Sequence, residues 1–253
     1  MAAAPNKLDT VFFTHTLCPY AERVWIALLE TGTQHLLVHI DLSRKPGWYR
    51  SVNPRGLVPA LQHDGRVQLE SADICRQLDS LASEPDLRLS PPEPALQREM
   101  EELLRGPCSG VVAAGLDLMA GSTGRHWGIG SGQTAAQREG FEAHLRGLSA
   151  SLQRHGGPFL LGTHLTLADV MVYPFLYRFS VAKKFSGYDI GAVLGGRTGE
   201  WLAALEARPA FRTTSADSRL LLEAFTAHQS LDFFDYETYT CFQLHPHNQH
   251  MLT

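Results

Sequence analysis

The sequence predicts a mixed α/β domain followed by an all-α domain, and three observations carry that expectation. A strand–helix–strand pattern fills residues 10–42, an Asp-Gly turn signal stands at residues 64–65, and a proline-dense break covers residues 90–94. Beyond the break, apolar residues recur at helical spacing.

Each element has its own justification. Residues 10–14, Thr-Val-Phe-Phe-Thr, form a short β-prone run, and Cys18-Pro19 follows after a brief interval. Ala21, Val24, Trp25, Leu28 and Leu29 then repeat at helical spacing. Pro19 suits the first helical turn, where its missing N–H costs nothing, and Gly32 is placed to end the helix. Residues 36–42 read as a second strand, which makes a βαβ unit with parallel strands and a right-handed crossover. Residues 58–61 and 67–69 flank His63-Asp64-Gly65-Arg66, so they read as an antiparallel hairpin. Glu70-Ser71 leads into a helix with Ile74, Leu78 and Leu81 on one face. The order is therefore βαβ, then ββα.

Ser90-Pro91-Pro92-Glu93-Pro94 divides the chain into a first domain, 1–90, and a helical domain, 95–253. Helical patterns cover residues 96–104, 141–152, 167–179 and 201–205, and the glycine-rich residues 121–132 read as a long loop. Thr166-Leu-Ala-Asp169 fits a capping box with Asp in place of Glu, and Leu165 and Val170 sit where a hydrophobic staple would close over it. Pro174 is expected to kink its helix or interrupt its hydrogen bonding.

Composition narrows the function classes. A 44% apolar and 19% charged chain of 253 residues is ordinary for a soluble globular protein. Its net charge of -4 gives no reason to expect a nucleic-acid or anionic-membrane partner. No apolar run approaches the roughly 20 residues that span a bilayer. Met1-Ala-Ala-Ala-Pro5 lacks the basic head and apolar stretch of a signal peptide, so a cytoplasmic location is expected. Cys18, Cys75, Cys108 and Cys241 have neither metal-site nor disulfide-framework spacing, so reduced thiols are expected. His245, His247 and His250 lack a partner cluster and are not read as a metal site.

Cys18 carries the chemistry. It stands between a strand and a helix N-terminus, where unpaired N–H groups and the helix dipole favour a thiolate. Cysteines in such places have pKa values of roughly 3.5–7.5, against about 8.5 for a free one. In Cys18-Pro19-Tyr20-Ala21 an alanine occupies the place of a second cysteine, so a monothiol cycle is expected. Pro59 opens a strand and can carry a cis bond, which would expose the Val58 backbone to a peptide-like ligand. Ser71 opens a helix, so its N–H and hydroxyl can bind a carboxylate.

These residues together resemble the cysteine-type glutathione transferases. The resemblance rests on residues 18–25 (Cys-Pro-Tyr-Ala-Glu-Arg-Val-Trp), 45–49 (Lys-Pro-Gly-Trp-Tyr), 53–61 (Asn-Pro-Arg-Gly-Leu-Val-Pro-Ala-Leu) and Glu70-Ser71. Residues 157–162 and 165–169 agree in the second half, so that roughly residues 8–215 are covered. The lambda class looks closest, with the omega class and dehydroascorbate reductases next. The resemblance implies a thioredoxin-like N-terminal domain and an all-helical C-terminal one. It also implies roles: Cys18 as catalytic thiol, and Lys45 facing the glycine carboxylate of glutathione. Val58, before a cis Pro59, would pair with the cysteinyl backbone, and Glu70 and Ser71 would hold the γ-glutamyl end.

The function expected is a glutathione-dependent thiol transferase that removes glutathione from mixed disulfides or conjugates, with dehydroascorbate reduction by the same thiol. Its co-substrate would be a small hydrophobic or disulfide compound, and no metal is called for. Two alternatives stay open: a conjugating transferase, and a ligand carrier like the chloride intracellular channel proteins. Glu22 and Arg23 in the first helix weigh against membrane insertion. The polar residues Asp73, Arg76, Gln77 and Ser80 on the predicted helix that follows Glu70-Ser71 favour a monomer.

Overall fold

The computed structural model describes residues 9–42, 44–120, 134–186 and 188–227. The expected βαβ–ββα order is present: β1 (Thr10–Thr14), α1 (Pro19–Glu30), β2 (Leu36–His39), a single turn α2 (Tyr49–Val52), β3 (Ala60–His63), β4 (Arg66–Leu69) and α3 (Ser71–Leu81). The sheet order is β2-β1-β3-β4. β1 pairs with β2 in parallel and with β3 antiparallel, and β3 pairs antiparallel with β4. Asp64 and Gly65 both take positive φ, 49° and 74°, as a two-residue hairpin turn requires. This is a thioredoxin-like sheet with its helices packed on it.

Strand bounds differ slightly from expectation. β2 stops at His39, although Ile40 and Leu42 remain buried beyond it. Ladder pairing in the hairpin begins at Ala60 rather than residue 58; the residue before it, Pro59, follows a cis bond and has no N–H to add to the ladder.

The second half is helical throughout the described residues: α4 (Pro94–Leu103), α5 (Ser109–Ala120), α6 (Ala135–His155), α7 (Leu167–Ser186), α8 (Ile190–Leu194), α9 (Thr198–Ala207), α10 (Pro209–Thr214) and α11 (Ser218–Ala227). A wide π turn at Leu104–Cys108 joins α4 to α5. The sequence reading placed no helix at α5, whose glycines look like loop residues. They serve packing instead. A Cβ on Gly110 would stand 2.2 Å from the His144 ring, and one on Gly115 would stand 2.5 Å from Phe179. Only bare backbone lets α5 approach α6 and α7 this closely. The glycine-rich residues 121–132, the tail and Cys241 lie outside the described residues. α7 runs through Pro174 without ending there.

Buried polar groups brace the helical half and tie it to the first. Asp169 accepts from Leu160 N–H and Trp201 Nε1 on one oxygen, and from Thr166 N–H and Oγ1 on the other, at 2.8–3.0 Å. The box at Thr166–Asp169 is thus half of the usual reciprocal one, since the Thr166 hydroxyl donates to the carboxylate. Burial pushes the Asp169 carboxyl up, and these four donors pull it back. Arg178 of α7 reaches into the first half, pairing with Glu22 of α1 at 2.6 Å and donating to the Leu17 carbonyl at 2.9 Å. Its side chain is 2% exposed.

Candidate active site

The loop between β1 and α1 is pinned around Leu17. Its N–H donates to His15 Nδ1 at 3.2 Å and its carbonyl accepts from Arg178. His15 can accept there because burial lowers its pKa to about 4, leaving the ring neutral near pH 7. Cys18 follows as the N-cap of α1, in extended conformation, with Pro19 as the first helical residue. Its Sγ accepts the Ala21 N–H at 3.4 Å and donates to the Val58 carbonyl at 3.6 Å. The first contact is one of the free donors that every helix start leaves. Cys18 is 0% exposed, so a reacting sulfur reaches it after its cover moves. Cys75 and Cys108 are equally buried, and burial pushes the Cys75 thiol up to about 12 and the Cys108 thiol up as well.

Directly beside Cys18 lies a cleft of about 340 Å³ lined by Tyr20, Asn53, Arg55, Val58, Glu70 and Ser71, among others. That volume is in the range of small-molecule sites. The structure brings Val58, Pro59, Glu70 and Ser71 together on its wall, with Cys18 hydrogen-bonded behind Val58. Lys45 is not on the wall. Its side chain passes over Gly56, with Cδ 3.2 Å from where a Cβ would stand, just outside the lining.

Glu70 adopts φ 66° and ψ 113°, a backbone state that a non-glycine residue rarely takes. Such strain persists where surrounding structure enforces it, and it concentrates at ligand sites. Here it turns the chain from β4 into α3 and presents the Glu70 carboxylate to the cleft, where Arg55 pairs with it. Ser71, the first residue of α3, accepts from Arg23 Nη1 at 3.3 Å.

Sequence reasoning missed Asn53, Arg55 and Arg23. Asn53 shapes its loop: Nδ2 donates to the Leu57 carbonyl at 2.8 Å, and Oδ1 accepts the Arg55 N–H at 3.0 Å. The Asn-Pro-Arg-Gly run held the signal, since asparagine commonly closes its own turn. Nothing in sequence pointed to Arg23, whose neighbours come from α3 and α7. Among the described residues no group of three or more His, Cys, Asp and Glu could hold a metal ion, and no helix is long and apolar enough to cross a membrane.

The thioredoxin-like sheet, the cis proline beside a helix-capping cysteine and the helical second half define a transferase fold of the glutathione-dependent kind. The chain belongs to the glutathione S-transferase family: residues 12–86 match its N-terminal domain and residues 131–213 its C-terminal domain. Similarity to the lambda class is direct. Glutathione S-transferase L3 of Arabidopsis thaliana is 31% identical over 228 residues, covering 87% of this chain and 89% of that protein. Solved structures share the fold. Glutathione transferase Omega 3C from Trametes versicolor superposes with a TM-score of 0.70 at 24% identity, covering 85% of this chain and 91% of that one. Chlamydomonas reinhardtii dehydroascorbate reductase gives 0.66 at 23% identity, covering 87% and 98%.

Proposed function

We propose that this transferase is a glutathione-dependent thiol transferase working through Cys18 alone. One observation carries the reading: the Cys18 sulfur accepts a helix N-terminal N–H, and Ala21 occupies the place of a second thiol. The Cys18 thiolate would attack the glutathionyl sulfur of a mixed disulfide, forming a Cys18–glutathione disulfide and releasing the other thiolate. A second glutathione thiolate would then attack the glutathionyl sulfur, forming oxidised glutathione and restoring Cys18. The exchange balances, since one mixed disulfide and one glutathione thiol enter, and one released thiol and one oxidised glutathione leave. Glutathione conjugates and dehydroascorbate are further substrates to try with the same thiol.

The site residues take roles that their positions support. Glu70 and Ser71 would hold the γ-glutamyl end, the carboxylate lying at the start of α3. The backbone of Val58, before cis Pro59, would pair with the cysteinyl unit. Lys45 would reach the glycine carboxylate from beside Gly56. The exposed residues Asp73, Arg76 and Ser80 on α3 support a monomer.

A conjugating reading has one observation in its favour. Tyr20 lines the cleft while Cys18 does not, and burial raises the Tyr20 phenol, which keeps it an O–H donor. Cys18→Ser separates the two. We expect it to abolish thiol transfer and to take up no glutathionyl adduct from oxidised glutathione, as read by intact mass, while the parent takes up one. Retention of most reductase activity by the variant would sink the monothiol cycle.

A further inference from the structure

Among the described residues Arg23 is a buried cation without a counter-ion. It is 7% exposed, and among the described residues no carboxylate lies within ion-pair distance of it. Its Nε donates to the Met171 carbonyl at 2.7 Å and its Nη1 to Ser71 Oγ. Nη2 makes no hydrogen bond among the described residues. The guanidinium stands 5.0 Å from the Tyr20 ring centre and 4.5 Å from that of Phe175, contacts that offset part of its desolvation. A buried charge ordinarily carries a partner, because removing it from water costs several kcal/mol. Cys18, Tyr20, Cys75 and Cys108 are the polar side chains that favour its charged form, and none is a carboxylate.

The missing partner has a place to sit. Tyr20, Arg23 and Ala72 line the glutathione-side cleft and also a second cleft of about 340 Å³ beside it. The second cleft has Arg23, Arg76 and Arg105 on its wall and, among the described residues, no acidic one. Arg76 pairs with Glu101 at 2.8 Å. Arg105 has no ion pair among the described residues, and its Nε donates to the Glu101 main-chain carbonyl at 3.3 Å. The cleft is therefore cationic even after Glu101 is counted. Its remaining wall is apolar, with Val112, Leu116 and Met171.

We propose that this second cleft selects an organic carboxylate with an aromatic or otherwise apolar body. The carboxylate meets Arg23 and Arg105, and the apolar body covers Val112, Leu116 and Met171. That such a compound is the co-substrate of thiol transfer rests on the function proposed above. The charge preference of the cleft does not.

The probes are 2-naphthoate and its uncharged isostere 2-naphthamide, titrated against the full chain with glutathione saturating and binding read by ligand fluorescence. We expect naphthoate to bind about fivefold to tenfold more tightly. Arg105→Gln should shrink that ratio, Arg76→Gln/Arg105→Gln should shrink it further, and Arg105→Glu should reverse the effect of the native arginine. In each variant the affinity for naphthamide should hold, which certifies an intact cleft. Equal affinities in the parent would overturn the proposal, as would a ratio indifferent to Arg105. Competitive displacement of naphthoate by glutathione would also overturn it, by assigning the anion to the first cleft. A chain that shows the preference but lacks thiol transfer supports the anion site and sinks the catalytic reading alone.

Discussion

Two buried arginines bridge the same pair of helices and do opposite things. Arg178 leaves α7 for α1 and meets the carboxylate of Glu22 and the carbonyls of Leu17 and Pro174. Arg23 leaves α1 for α7 and finds a carbonyl, a hydroxyl and two aromatic faces, with no carboxylate among the described residues. The first is a closed account of charge, sealed inside the molecule, and its business is architecture. The second is open on two clefts. A buried ion whose partners are all in the chain reports on folding, and one left short reports on a ligand.

The largest test of this contrast removes Arg178. Arg178→Met leaves Glu22 buried, where burial already pushes its carboxyl up, and should destabilise the fold by about 3–5 kcal/mol in urea titration. Adding Glu22→Gln should recover part of that loss. No recovery would mean that the Leu17 and Pro174 carbonyls, rather than the ion pair, dominate.

Next in size is pH. His15 sits on the Arg178 side of the contrast, and its folded pKa of about 4 lies below the ordinary 6.5. The unfolded chain therefore binds more protons between those values. Stability should be full above pH 6.5 and fall as pH drops toward 4, by about 3 kcal/mol in all. Because Leu17 N–H donates to His15 Nδ1, protonation also unpins the residue before Cys18. His15→Gln should flatten this part of the stability profile, and a profile unchanged by it would remove His15 from the account.

The smallest effect on stability belongs to Arg23. Arg23→Met strands one carbonyl and one hydroxyl but no charge, so it should cost about 1–2 kcal/mol, well below Arg178→Met. Equal losses in denaturant titration would erase the distinction between the two arginines.

The first half of the fold was legible because its signals are local. Thr10–Thr14, the helix from Pro19 and the Asp64-Gly65 turn each announce themselves within a few residues. α5 was not legible, since Gly110 and Gly115 weaken a helix viewed alone and find their reason in His144 and Phe179. The site divides the same way. Glu70-Ser71 and Val58-Pro59 are contiguous pairs, whereas Arg23, Arg55 and the pinning of Leu17 by Arg178 depend on segments far apart in the chain.

α7 grips the start of α1 at two separate points, Met171 through Arg23 and Arg178 through Glu22 and Leu17. One grip would leave a swivel; two on the same stiff rod remove both sliding and rotation. The thiol at the head of α1 is thus mounted on the frame of the molecule, and tilting its helix is no route to uncovering it. The wall across from it is built differently. Its loop, residues 53–58, is held by Asn53 and Tyr49 donating to a single carbonyl, that of Leu57. Giving way there costs those two hydrogen bonds, the Cys18–Val58 contact and the exposed Arg55–Glu70 pair, none of them a buried ion pair. The two walls about the thiol are thus unequal in build, one anchored by a buried ion pair and the other by exposed and neutral contacts.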